Sequence, residues 1–259
     1  MRAAAHRTMT GILGTVRARL DDIRDAVLTQ AEGGAVPEPL RIPPAREQWL
    51  PGAVRALTPN RYWAARRPNL IKPIGSLVWH YTASPYNPRF PLGADIDRIT
   101  RWARRTSGRI SSTHVVYLRD GRRVQLMPFS DRAWHVTNRY PHPLTGAYLN
   151  ESALGFDLEN VGFVNKVGST FYTAYDRPDR RSVHRGPVEQ AADGSWWEAP
   201  TDEQMRAIED DAAVIAEWLP QLADGQPGRV IRHSDAQPTR SDPGPLFDVD
   251  WYAGILGAA

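Results

Sequence analysis

The stretch GRVIRHSDAQPTRSDPGPLFD, residues 228–248, decides how this chain is read. It opens on a short apolar run, Val230-Ile231, that reads as a strand, and the strand ends at His233. Beyond His233 the chain carries Asp235, Pro238, Asp242, Pro243, Gly244, Pro245 and Asp248. Such a segment is too polar for a core strand and too restrained by proline for a flexible linker. A rigid loop that holds a histidine and several carboxylates at the end of a strand is a place where metal or proton chemistry is built.

Upstream of this stretch lies a helix. Thr201 and Gln204 form a capping box for DEQMRAIEDDAAVIAEWLPQL, whose buried face is Met205, Ile208, Ala212, Ile215, Ala216 and Leu219. Earlier still, SLVWHY (76–81) reads as a buried strand ending near His80, and ADIDRITRWARR (94–105) as a helix with Ile96, Ile99 and Trp102/Ala103 on one face. THVVYLRDGRRVQLMPF (113–129) reads as a hairpin turning at Asp120-Gly121, and ALGFDLENVG (153–162) contains a short strand. The stretch from 161 to 198 is longer than an ordinary connection, so an elaborated surface loop or hairpin is expected there. Strands interleaved with helices, plus one antiparallel hairpin, predict an α/β fold: a mixed central β-sheet flanked by helices.

The N-terminal part is of another kind. Residues 8–31 read as a helix in which Met9, Leu13, Val16, Leu20, Ile23 and Val27 form a heptad-like stripe. That stripe either packs on the chain's own domain or docks to another copy of the chain or to a carrier. Gly33-Gly34 ends it, and the proline-rich VPEPLRIPPAREQWLPG (36–52) connects it onward. The expected division is therefore 1–49, helix and connector, and 50–259, the main domain with an insert at about 161–198.

Composition narrows the classes. The 259 residues are 41% hydrophobic, enough for a sizeable core. The net charge is +3, and all basic residues but Lys72 and Lys166 are arginine. No basic run with interleaved aromatics marks a nucleic-acid surface, so no nucleic-acid partner is expected. The absence of cysteine excludes disulfides, thiolate metal ligands and a cysteine nucleophile. No window is apolar enough for a membrane span, and MRAAAHRTMTGILGTVRARL does not read as a conventional signal peptide. Synthesis in the cytoplasm is expected, with any function outside it reached through lysis, a specialised secretion machine or a leaderless route.

The residues that carry chemistry sit at strand ends: His80, His233, and the pair Asp157 and Glu159. Nine residues after His233 comes Asp242, in its Pro/Gly-fixed loop. Two imidazoles and one carboxylate are a usual protein ligand set for catalytic zinc, leaving a position open for water. Asp157 and Glu159 are two apart in a presumed strand, so both point to one face. A carboxylate beside a metal-bound water can take its proton and pass it to a leaving amine. The residues alone reach "zinc hydrolase" and no further.

Four motifs in order add a resemblance: LVWHYTAS (77–84), STHVVYLRDGRRVQLMPFSDRAWHV (112–136), LGFDLEN (154–160) and RHSDAQPTRSDPGPLFDVDW (232–251). Together they resemble the zinc-dependent N-acetylmuramoyl-L-alanine amidases, which share a fold with phage amidase lysozymes and peptidoglycan recognition proteins. The resemblance covers roughly residues 75–252. It implies a Zn2+ cofactor held by His80, His233 and Asp242. It puts Asp157 at the position of the family's catalytic glutamate, with Glu159 at a second acidic position, so that either carboxylate is a candidate base. Arg240 stands where the family has a lysine that stabilises the transition state. His135, Trp134 and Tyr81 are implied cleft residues, and His114 a structural one. The implied reaction cuts the amide between N-acetylmuramic acid and L-alanine, with peptidoglycan or muropeptides as partner. The implied roles are phage endolysin, secreted antibacterial effector or recycling enzyme. The alternatives are a non-catalytic peptidoglycan-binding module or a component of a phage or secretion apparatus.

Overall fold

The computed structural model describes residues 48–60, 73–106, 111–137, 142, 146–174 and 182–259. The expected helix over 8–31 lies outside the described residues, as does the connector up to 47. Six strands form the central sheet: β1 (Val54–Arg55), β2 (Ser76–Tyr81), β3 (Val115–Tyr117), β4 (Arg123–Gln125), β5 (Ala153–Leu158) and β10 (Val230–Arg232). Their order is β1-β4-β3-β5-β2-β10. The β3–β4 hairpin is antiparallel and the other neighbours are parallel, which makes the sheet mixed, as expected. The apolar run of β2 suits a central parallel strand covered on both faces.

Helices flank both faces. On one, Leu77, Trp79, Tyr117, Leu154, Phe156 and Leu158 pack against α3 (Asp202–Trp218) and α5 (Val249–Ala258). On the other, Val116, Leu118, Val124 and Leu126 meet Ile99 and Ala103 of α1 (Ile96–Ala103). Val78 and Ile231 there meet Leu149 of α2 (Leu149–Ser152). Trp79 is fully buried, with the rings of Tyr117, Phe156, Tyr252 and Phe247 at centroid distances of 5.6, 5.5, 5.0 and 4.5 Å. Phe247 closes the decisive loop, so that loop is pinned to the core by a side chain whose burial contributes roughly 1.5–3 kcal/mol.

Helix α3 begins as its sequence predicts. Thr201 Oγ1 accepts from the Gln204 amide at 3.1 Å while Gln204 Oε1 accepts from the Thr201 amide at 3.0 Å. Gln204 Nε2 also donates to the Tyr117 carbonyl at 2.9 Å, tying the helix start to the sheet. The helix stops at Trp218 rather than Leu222, because Pro220 disfavours helical backbone at Leu219 and opens a short 3-10 turn over Pro220–Leu222.

Two features differ from expectation. The 161–198 segment goes beyond the loop or hairpin expected there: β6 (Phe163–Val167) with β7 (Thr170–Thr173) and β8 (Val188–Gln190) with β9 (Trp196–Glu198) are antiparallel pairs that join into a second sheet, in the order β7-β6-β9-β8. Its base is fastened by one carboxylate. Glu198 Oε1 accepts a hydrogen bond from Arg119 Nε at 2.5 Å, its Oε2 accepts from the Val161 amide at 2.5 Å, and its own amide donates to the Gly162 carbonyl at 3.0 Å. The second difference is that His233 opens a short helix, α4 (His233–Ala236), instead of closing β10. Among the described residues no helix is long and apolar enough to cross a membrane.

Candidate metal and catalytic site

The parallel register of the sheet assembles the site. His80 of β2 pairs with Asp157 of β5, which pairs on its other side with Val116 of β3. His80 and Asp157 therefore lie side by side on one face at the end of two neighbouring strands. Strand β10 runs parallel beside β2 and delivers His233 just past its own end. The loop then turns back: the Ser234 amide donates to the Asp242 carbonyl at 3.0 Å, and the Asp242–Pro243 peptide bond is cis.

Three atoms converge as a result. His80 Nδ1 lies 3.0 Å from His233 Nδ1 and 3.0 Å from Asp242 Oδ2, and His233 Nδ1 lies 2.7 Å from that same oxygen. All three side chains are buried. In the tautomers with Nδ1 unprotonated, each inward atom offers a lone pair to one point, and a cation there would serve all three together. Tetrahedral ligands about 2.0–2.1 Å from zinc stand about 3.3 Å apart, and the observed triangle is slightly tighter than that. The outward nitrogen of His80 also has a partner, Nε2 lying 3.0 Å from His135 Nδ1, as ligand histidines require to fix their orientation. Two histidines and an aspartate with this support fit zinc.

Burial, with His233 close by, lowers the His80 pKa to about 4, so its imidazole is neutral and free to ligate near pH 7. Burial works to raise the Asp242 carboxyl, but hydrogen bonds from His233 and His80 outweigh it and hold it well below the usual carboxylate range. Asp157 behaves in the opposite way. Burial, aided by the nearby Asp242 charge and opposed by the Thr113 hydroxyl, pushes its carboxyl up to about 7. Two aspartates lining one cleft thus have proton affinities shifted in opposite directions, the condition for dividing ligand and acid–base roles.

The cleft beside these residues has a volume of about 500 Å³. Tyr81, Trp134, His135, Asp157 and Arg240 line it together with His80, His233 and Asp242, so eight of the nine sequence-derived site residues come together. Glu159 is the exception and corrects the expectation of a shared acidic wall. Its carboxylate is fully buried under the segment that leads into α1, where it accepts from the Asp95 amide at 2.8 Å and the Arg119 amide at 3.3 Å. It also pairs with the Arg119 guanidinium at 3.4 Å. Of the pair Asp157 and Glu159, Asp157 is the one that faces the cleft. His114 sits in a structural setting: Nδ1 accepts from the Gly155 amide at 3.0 Å and Nε2 donates to the Asp131 carbonyl at 3.3 Å. Trp102, read from sequence as packing surface, also lines the cleft. It sits at the edge of the packed face of α1, so periodicity alone does not separate the two roles.

The sequence profile of the N-acetylmuramoyl-L-alanine amidase family matches residues 71–245, about two thirds of the chain and all of the site just described. The chain belongs to that family. No curated protein sequence matches it. Among solved structures, this amidase-family chain is similar to a selenomethionine AmpD derivative, with 19% identity over 83% of this chain and 99% of that one, at a TM-score of 0.47. It is similar to AmiD from Escherichia coli, described as a complex with the substrate anhydro-N-acetylmuramic acid-L-Ala-D-gamma-Glu-L-Lys, with 20% identity over 70% of this chain and 57% of that one, at a TM-score of 0.43. It is also similar to the endolysin LysCS from Clostridium intestinale, with 14% identity over 81% and 98% and a TM-score of 0.44.

Proposed function

We propose that the chain is a zinc-dependent N-acetylmuramoyl-L-alanine amidase that hydrolyses the amide between the lactyl group of N-acetylmuramic acid and L-alanine in peptidoglycan. The observation that carries this reading is the convergence of His80 Nδ1, His233 Nδ1 and Asp242 Oδ2 in a cleft shared with Asp157. Zinc held by those three residues would supply a Lewis acid that activates water and polarises the amide carbonyl.

The chain's own residues supply the rest. Asp157, with its carboxyl near pH 7, takes the proton that the attacking water gives up and returns it to the alanine nitrogen as the C–N bond breaks. Arg240 donates to the oxyanion that forms as the carbonyl carbon becomes tetrahedral. The products are a lactyl carboxylic acid on the glycan and a free amine on the peptide, so no further reactant is needed. His135 holds the His80 ring, and Tyr81, Trp134 and Trp102 form apolar walls for the sugar and the peptide stem. The full ligand set favours catalysis over a binding module.

Elemental analysis and product mass spectrometry test the reading. His80→Ala, His233→Ala and Asp242→Ala should each lose zinc and the release of stem peptides, while His114→Ala keeps the metal. Zinc retained in any of the three removes that residue from the site, and zinc uptake without peptide release by the intact chain leaves a binding module instead. Comparing intact sacculi with soluble muropeptides separates a wall-lytic role from a recycling one.

A further inference from the structure

The second sheet reaches the candidate site through Trp197 of β9. The indole is nearly buried, and its Nε1 donates to Ser195 Oγ at 2.7 Å, which fixes the ring plane. Its face lies against Gly244, two residues beyond Asp242. A Cβ placed on Gly244 would stand 2.9 Å from the indole Cε3, and the residue has φ +87°, which glycine alone adopts without strain. The backbone after Asp242 is thus pressed directly onto the ring.

The same indole meets Tyr81, the residue after His80, at a centroid distance of 6.5 Å and an angle of 61°. Tyr81 also packs on Gly162, where a Cβ would come within 2.5 Å of the phenol ring. The Tyr81 hydroxyl lies 2.9 Å from Ser241 Oγ, next to Asp242. One side chain therefore backs both the strand end that carries His80 and the loop that carries Asp242.

We propose that Trp197 is a positioning residue that holds His80 and Asp242 at chelating distance from His233, so that the inserted sheet serves as a buttress of the metal site. This inference rests on the zinc reading above. Its physical basis is close packing: removing the indole leaves a void behind Gly244 and beside Tyr81, and the ligand loop relaxes into it. Side chains that orient metal ligands typically change metal affinity ~10–100-fold when removed.

The test uses the full chain and two readouts. Trp197→Ala should weaken zinc binding ~10–100-fold by chelator competition, and should speed hydrogen exchange at the backbone amides of 240–246 in metal-free protein. Trp197→Phe, which keeps a ring against Gly244, should recover most of the affinity. Phe171→Ala removes a ring packed on Trp196, on the opposite face of the same sheet, and should lower stability with no effect on zinc affinity. The inference is overturned if Trp197→Ala binds zinc as tightly as the unmodified chain with unchanged amide exchange. It is equally overturned if Phe171→Ala weakens zinc as much as Trp197→Ala does. An unmodified chain that takes up no zinc removes the metal reading, and this inference with it.

Discussion

Replacing Asp157 by asparagine should make the metal-free protein more stable while it disables the enzyme. Burial raises the Asp157 carboxyl from 3.8 to about 7, so the folded chain keeps a proton that the unfolded chain releases above about pH 4. For a carboxyl with a raised folded pKa, stability is greatest below the unfolded value. It falls as pH rises through the window between the two values, and the loss is complete above about pH 7. A gap of about 3 pH units corresponds to roughly 4 kcal/mol, an upper bound for one buried group. Asparagine has nearly the same shape and never ionises, so it escapes this cost at every pH. Urea unfolding in the presence of a chelator should show the two proteins equal near pH 4 and the variant ahead by up to ~4 kcal/mol near pH 8. Turnover with zinc restored should drop ~10²-fold or more, the scale of general-base catalysis. A variant that is less stable by a constant amount across the whole pH range would refute the argument that burial strains this carboxylate. Undiminished turnover would remove Asp157 as the base.

Glu159→Gln takes the negative charge from the fully buried Arg119 guanidinium and weakens the acceptor for the Asp95 and Arg119 amides, so a loss of ~1–3 kcal/mol in stability with zinc uptake intact is expected by thermal unfolding, and a dead but fully stable variant would return Glu159 to the chemistry. Arg240→Ala should keep zinc and lose ~10²–10³ in kcat, with Arg240→Lys recovering part of it because the charge is kept; an unchanged kcat in the alanine variant sinks the oxyanion role. Deleting residues 1–45 should leave hydrolysis of soluble muropeptides intact and change sedimentation behaviour or binding to walls, and a truncated chain that matches the full one in all three leaves the heptad stripe without a function.

The parts of this fold that announce themselves in sequence are those with a local cause. The Thr201–Gln204 capping box, the apolar run of β2 and the Asp120-Gly121 hairpin each act within a few residues, and each is where it was expected. His80 and His233, two of the candidate metal ligands, are readable because a histidine within or just after a short apolar run stands out against its neighbours. What escaped depends on distant partners. Glu159 is two residues from Asp157 and of the same chemistry, yet its role is set by Arg119, which lies 40 residues away and is fully buried. The strands of the second sheet run only three to five residues, and WWE or VEQ lacks the alternation that marks a strand. Helix α5 left one usable signal: Asp248 accepts from the Asp250 and Trp251 amides at 2.9 and 3.2 Å, an N-cap that DVDW would have suggested.

Glu198 joins both ends of the inserted sheet to the core at a single point, because its carboxylate and its amide hold Val161 and Gly162 while Arg119 anchors it. A segment that leaves and re-enters a domain through neighbouring residues is exchangeable in length, since closing a longer excursion costs only about 0.6 kcal/mol per doubling. The far end of that sheet, away from Trp197 and Glu198, can therefore be lengthened, shortened or redecorated at little cost to the fold of the central sheet.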